Sequence, residues 1–174
     1  MRLYSSQFNI IAGEIIRTLQ KDELMDIEPE QLPEAELDVV GVLREYNRMA
    51  REITRQARDM TVGDGATAER RMKQRLARDK NFKFGDDAID YVVSQIIETF
   101  LQSINIAEIY GTDRELRARI ATVLKKYGRD RSEEIDREVR SKLKNLEEGS
   151  AAWDIEYEKA LARVKDRKGM SPED

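Results

Sequence analysis

The fold is decided by two stretches of sequence, FNIIAGEIIRTL at residues 8–19 and IDYVVSQIIETF at residues 89–100. In each stretch the apolar residues recur at intervals of three and four positions, which is the spacing of one face of an α-helix. The second pattern coincides with the first when it is moved back by 81 residues, so that Ile15 matches Ile96. We therefore predict two amphipathic helices that hold equivalent places in the fold.

A second pair of segments keeps the same offset. VLREYNR at residues 42–48 matches VLKKYGR at residues 123–129. The match includes the polar residues Arg48 and Arg129, which helical patterning of apolar residues alone does not require. Self-similarity at a fixed spacing is typical of a duplicated structural unit. We predict three domains: a first helical repeat at 1–84, a second at 85–169 and a flexible tail at 170–174.

Each copy is predicted to contain a short helix, a long helix, a turn and a third helix. The first long helix should begin after Pro33 and end before the glycine-rich turn at residues 63–65, and Thr112 and Glu115 have the spacing of a capping box. Gly128 should weaken or kink the second long helix. No segment alternates apolar and polar residues over a strand length. The sequence thus predicts an all-α fold, a helical bundle of two tandem three-helix units related by a pseudo-twofold axis, with third helices near 66–79 and 150–168.

The composition excludes several kinds of site. The chain has 174 residues, of which 38% are charged, with a net charge of −4 and neither cysteine nor histidine. Disulfides, thiolate nucleophiles, Cys/His zinc sites and imidazole bases are therefore ruled out. No apolar run is long enough to span a membrane, and the first residues do not read as a signal peptide, so we expect a cytoplasmic protein. No cofactor or metal site is predicted.

Charge is concentrated in two segments of opposite sign. Residues 22–38 carry eight acidic and no basic side chains, whereas residues 69–83 carry seven basic and two acidic ones. The basic segment could bind the phosphates of RNA or DNA, with Phe82 and Phe84 stacking on bases, or it could be a solvated face or the intramolecular partner of the acidic segment. The candidate interaction surface is Arg70, Arg71, Lys73, Arg75, Arg78 and Lys80.

The remaining sequence patterns indicate structural roles and not ligand-binding or catalytic sites. The acidic segment lacks the register of a calcium-binding loop, and the turn at 63–65 follows a helix and lacks the rest of a phosphate-binding loop. Four aromatic residues continue apolar stripes and are predicted to be structural anchors: Trp153, Tyr157, Tyr46 and Tyr127. For Trp153 and Tyr157 the alternative is a role in contacts with a partner.

The opening segment MRLYSSQFNIIAGEIIRTL at residues 1–19 and the segment EEIDREVRSKLKNLEEGSAAWDIEYEKAL at residues 133–161 resemble the bacterial domain-of-unknown-function family 507. The most specific part is EIDREVRSKL followed by EGSAAWDIEY, in which Gly149, Ser150 and Trp153 match the family pattern. The resemblance implies a soluble bacterial helical protein, and it brings no activity, cofactor or catalytic residue with it.

The sequence therefore favours a non-enzymatic protein-protein interaction or adaptor module that acts through the surface of its bundle. The alternative is an RNA- or DNA-associated protein that uses the basic helix at residues 69–83. A carboxylate-based enzyme ranks last, because helical di-iron sites also need histidine. A protein partner is expected, nucleic acid is the alternative partner, no membrane association is predicted, and the oligomeric state is left open.

Overall fold

The computed structural model describes residues 5–143 and 151–167, and their backbone is almost entirely helical. The prediction of an all-α fold is confirmed. The tail at 170–174 and the Gly149–Ser150 pair lie outside the described residues. The α-helices are α1 (Phe8–Lys21), α2 (Leu32–Met60), α3 (Ala66–Asp79), α4 (Ala88–Gln102), α5 (Asp113–Lys142) and α6 (Ala151–Arg167), and two-residue strands occur at β1 (Met25–Asp26) and β2 (Glu108–Ile109).

The chain divides into two compact units, one that ends at Lys125 and one that begins at Lys126. This division falls inside α5, so the first unit contains α4 as well as α1, α2 and α3. The order of short, long and third helix occurs twice along the chain, as the repeat predicts. The duplication itself and its boundary after residue 84 stay predictions.

The core of the first unit is built on α2, which packs against α1, α3 and α4. Ile15 on α1 and Ile96 on α4 are both completely buried, as their matched positions in the sequence predict. Burying an aliphatic side chain of this size contributes about 1.5–3 kcal/mol. The apolar faces recognised in the sequence therefore supply this core, and its other large, fully buried members include Ile11, Ile16, Leu19, Leu43, Ile53, Phe100, Ile120 and Leu124.

A short antiparallel bridge joins the connection after α1 to the connection after α4. Met25 pairs with Ile109, and the amides of Tyr110 and Gly111 both donate to the Leu24 carbonyl at 2.9 Å. A Cβ on Gly111 would lie 3.0 Å from the Leu24 side chain, so this close approach favours glycine. Two residues per strand are too few to produce an alternating pattern, which explains why the sequence did not predict the bridge.

The predicted end of α2 and the predicted start of α5 are confirmed, whereas α2 begins at Leu32, so that Pro33 lies in its first turn and not before it. At the start of α5, the Thr112 amide donates to the Glu115 carboxylate at 2.9 Å, and the Glu115 amide donates to the Thr112 hydroxyl at 3.3 Å. This is the reciprocal bonding of a capping box. The turn after α2 holds Gly63 and Gly65 at φ values of +91° and +84°, which only glycine adopts without strain. Helix α5 is unbroken at Gly128, so the predicted weakening does not interrupt it.

The second unit contains the end of α5 and α6. Its buried side chains include Val139 and Leu143 on one segment and Ala160 and Val164 on the other. Glu138 and Arg167 form an ion pair between α5 and α6. Within the described residues, no helix has both the length and the apolar character needed to cross a membrane.

Candidate functional site

An open groove of about 460 Å³ lies between α2 and α4 in the first unit. Its apolar lining comes mainly from α2 and from the segment after α3, and its polar lining includes two carboxylates, two phenols, an amide and a hydroxyl. The lining residues are Asp38, Gly41, Val42, Glu45, Tyr46, Met49, Phe82, Tyr91, Val92, Gln95 and Thr99.

Gly41 keeps the groove open on the α2 side. It lies in the interior of α2, where glycine costs about 1 kcal/mol relative to alanine. A Cβ built on Gly41 would meet no atom within 4 Å. Packing therefore does not require glycine at this position, and a larger side chain here would extend into the groove.

Aromatic rings close one end of the groove. The Tyr46 ring stacks on the Phe82 ring with centroids 4.9 Å apart, and Tyr91 lies 5.3 Å from Phe82. The Tyr46 hydroxyl donates to the Lys83 carbonyl at 3.3 Å. Burial, reinforced by the neighbouring Tyr91, raises the pKa of Tyr46 to about 12, so its phenol stays neutral at physiological pH.

The prediction that Phe82 stacks on nucleic-acid bases is wrong. Phe82 is only 2% exposed because the chain reverses after α3, with Asn81 at φ +51°. The Phe82 amide donates to the Ala77 carbonyl at 2.7 Å, and the Asn81 amide donates to the Arg78 carbonyl at 3.0 Å. These two bonds form a Schellman motif, which turns the following apolar residue back onto the helix. Phe82 is therefore a core residue.

Two carboxylates on α2 give the groove a negative rim. Asp38 accepts a hydrogen bond from the Ser103 hydroxyl at 2.5 Å and another from the Asn105 amide group at 3.1 Å, which ties α2 to the turn after α4. Glu45 accepts a bond from Arg48 at 2.7 Å, and this bond lowers the pKa of Glu45. No basic side chain belongs to the described lining of the groove. Arg48 already neutralises Glu45, whereas the partners of Asp38 are uncharged, so the site favours a ligand with apolar parts and a cationic group near Asp38.

Exposed apolar side chains flank the bond between Asp38 and Ser103. Leu37 precedes Asp38 on α2, while Leu101 and Ile104 lie on either side of Ser103, and Ile104 is 96% exposed. Exposed apolar patches are typical of interaction surfaces, and these three side chains lie within two residues of the ends of one hydrogen bond. No sequence pattern marks these residues, because their exposure depends on how α2 meets the end of α4.

The six predicted interaction residues divide into two groups. Arg70, Arg71, Arg75 and Arg78 are exposed on α3, whereas Lys73 and Lys80 are half-buried. The Lys73 ammonium lies 4.4 Å from the centre of the Phe84 ring, so one face of that ring is occupied. The Lys80 ammonium contacts the Glu52 carboxylate at 2.9 Å, and this bond lowers the pKa of Glu52.

The acidic segment does not cover the basic helix. Segment 22–38 ends in the first turns of α2, and α3 packs along the other end of α2, where Lys80 meets Glu52. Fourteen helical residues separate Asp38 from Glu52, which corresponds to about 21 Å along the axis. Within the acidic segment, Asp22 instead pairs with Arg119 on α5 at 2.7 Å.

The predicted aromatic anchors have different environments. Tyr46 is buried in the first unit as described above, whereas Tyr127 is half-buried and has the Lys126 ammonium 5.2 Å from its ring centre. In the second unit the Trp153 and Tyr157 rings stack with centroids 4.8 Å apart. The Arg140 guanidinium lies 5.7 Å from the Trp153 ring centre. Trp153 and Tyr157 therefore form a partly exposed aromatic pair on α6.

The described residues contain no group of three or more acidic side chains placed to hold a metal ion.

A family model described as protein of unknown function (DUF507) matches residues 1–170. No curated protein matches the chain.

Proposed function

Since the chain belongs to the DUF507 family, whose function is unknown, we propose from its surface that it is a non-enzymatic protein-protein interaction module. The observation that carries the proposal is the open groove between α2 and α4, with its apolar floor and carboxylate rim. A cytoplasmic location stays a prediction from the sequence.

The lining of the groove indicates which kind of partner segment would fit. Val42, Met49 and Val92 can accept aliphatic or aromatic side chains, and methionine adapts to differently shaped partners. Asp38, whose hydrogen-bond partners Ser103 and Asn105 are uncharged, would attract a lysine or arginine next to those apolar side chains. We therefore expect the partner to present an amphipathic segment with apolar anchors and at least one basic residue.

The apolar residues beyond the groove extend the same surface. Leu37, Leu101 and Ile104 would add apolar contact area beside the Asp38 end of the groove. A groove volume of about 460 Å³ holds only a few side chains, whereas a stable protein interface buries about 1,200–2,000 Å² in total. The groove would thus be the anchor site of a larger interface.

The proposal is tested by site-specific photo-cross-linking in the native host. A photoreactive amino acid at Gln95, inside the groove, should give discrete cross-linked protein species. The same label at Arg163, which is exposed on α6, serves as the control. The species formed from Gln95 should disappear in Gly41→Leu, because the leucine side chain would occupy the part of the groove next to α2.

Gly41→Ala supplies the matched variant, because one methyl group leaves most of the groove free. The cross-linked species should persist in that variant. Species that form equally from Arg163, or that persist in a folded Gly41→Leu variant, would contradict a role for the groove.

A further inference from the structure

Helix α3 presents a row of arginines to solvent. Its inner face, which includes Met72, Leu76 and Ala77, packs toward α2, and the opposite face carries Arg70, Arg71, Arg75 and Arg78. From Arg70 to Arg78 the helix rises by about 12 Å, so the four guanidinium groups share two turns of one surface. Among the described residues, none of the four guanidinium groups forms an ion pair or a side-chain hydrogen bond.

This row belongs to a basic part of an acidic protein. Between Arg44 and Lys83 the chain has twelve basic and six acidic residues, a net charge of +6, while the whole chain has −4. The acidic segment 22–38 lies at the far end of α2 and cannot neutralise it. Such a separation maintains a local positive potential that attracts anions.

We propose that the outer face of α3 binds the phosphate backbone of single-stranded RNA. Guanidinium groups bind phosphates through two parallel hydrogen bonds and remain charged at every physiological pH. Binding of this kind releases counterions and needs no contact with bases. It goes beyond the proposed protein-interaction function and uses a different surface from the groove.

A flexible single strand fits this face better than a duplex. The basic face is short, and a rigid duplex extending past it would approach the acidic segment at the other end of α2, which carries eight negative charges. A single strand can bend away from that segment. Base stacking is not part of the proposal, because Phe82 is buried and Lys73 occupies one face of the Phe84 ring.

The test is fluorescence anisotropy with a labelled 12-nucleotide RNA of mixed sequence, measured at several salt concentrations. Each neutralised phosphate contributes about −0.7 to the slope of log K against log salt, so four contacts predict a slope near −3 and roughly 50-fold weaker binding at 200 mM than at 50 mM salt. Arg71→Gln/Arg75→Gln should reduce the magnitude of the slope by about 1.4.

A matched control removes the same charge elsewhere. Arg114 and Arg163 are exposed and lie outside the basic face, so Arg114→Gln/Arg163→Gln should leave the slope unchanged. An equal reduction of the salt slope in the two double variants would overturn the proposal. The absence of RNA binding at 50 mM salt would overturn it as well.

Two further ligands separate the alternatives. Duplex RNA of the same length should bind at least several-fold more weakly than the single strand, and equal binding would overturn the preference for single strands. Vesicles of anionic phospholipid should compete poorly with RNA. Tight vesicle binding that is lost in Arg71→Gln/Arg75→Gln, without RNA binding, would assign the face to membranes instead.

Discussion

The ring of Phe82 lies 4.9 Å from the ring of Tyr46, at an interplanar angle of 20°. This stacked pair fastens the end of α3 to the middle of α2 and closes one end of the groove. The same contact therefore sets the position of the helix that carries the arginines and shapes the proposed protein-binding site.

Phe82→Ala should strongly destabilise the fold. Removing a large buried aromatic side chain costs about 3–5 kcal/mol, because transfer free energy is lost and a cavity remains. Denaturant unfolding followed by circular dichroism measures this change. Phe84→Ala is the matched control. Because Phe84 is half-buried, this substitution should lower the free energy of unfolding much less. Similar losses at the two positions would show that Phe82 is not the anchor.

Tyr46→Phe should change how stability depends on pH. The pKa of Tyr46 is raised to about 12 in the folded state, chiefly by burial, from an ordinary value of 10.0. Its stabilising effect is therefore complete below pH 10 and is lost as the pH rises toward 12, by about 2–3 kcal/mol. The wild type should lose more stability than Tyr46→Phe between pH 10 and 12. Parallel curves for the two proteins would contradict the burial of this phenol.

Thr112→Ala should destabilise the start of α5. The substitution removes the hydroxyl that accepts a bond from the Glu115 amide, and loss of such a cap typically costs about 1 kcal/mol. Thermal unfolding measures the effect. Thr122→Ala is the control, because Thr122 is exposed within α5 and its hydroxyl only bonds the Ala118 carbonyl. A larger effect at Thr122 would contradict the capping role.

The capping box also predicts a pH dependence. Hydrogen bonds from Thr112 lower the pKa of Glu115 below 4.5, so the carboxylate stabilises the folded state above that pH and the effect is lost as the pH falls. The difference in stability between wild type and Glu115→Gln should therefore shrink on acidification below pH 4.5. An unchanged difference would show that the charged form of Glu115 is not the one that caps α5.

Gly41→Ala should stabilise the protein. Alanine has a higher helix propensity than glycine by about 1 kcal/mol, and the added methyl group meets no neighbour within 4 Å. Denaturant unfolding should show a higher midpoint with an unchanged slope. A destabilised Gly41→Ala variant would mean that α2 does need glycine at this position.

The helices and the core of the first unit were predictable because their signals are local. The stripe around Ile15, the stripe around Ile96 and the Thr112–Glu115 spacing each depend on residues within a few turns of one another. Local spacing of this kind fixes the type of element and the face that is buried.

The groove was not predictable, because it depends on how distant segments meet. Asp38 and Ser103 are 65 residues apart, and nothing in either neighbourhood indicates their hydrogen bond. The wrong prediction for Phe82 has a different, local cause. Its position beside a basic helix suggested exposure, whereas the reversal at Asn81 turns it inward.

The central claim is that partners bind in the groove between α2 and α4, and it is tested most directly by titrating a partner identified by cross-linking into three proteins. Binding to wild type and to Gly41→Ala should agree within about twofold, and Gly41→Leu should bind at least tenfold more weakly, a loss of about 1.4 kcal/mol or more. Circular dichroism should show that all three proteins are equally helical. An unchanged dissociation constant for a folded Gly41→Leu variant would contradict the claim.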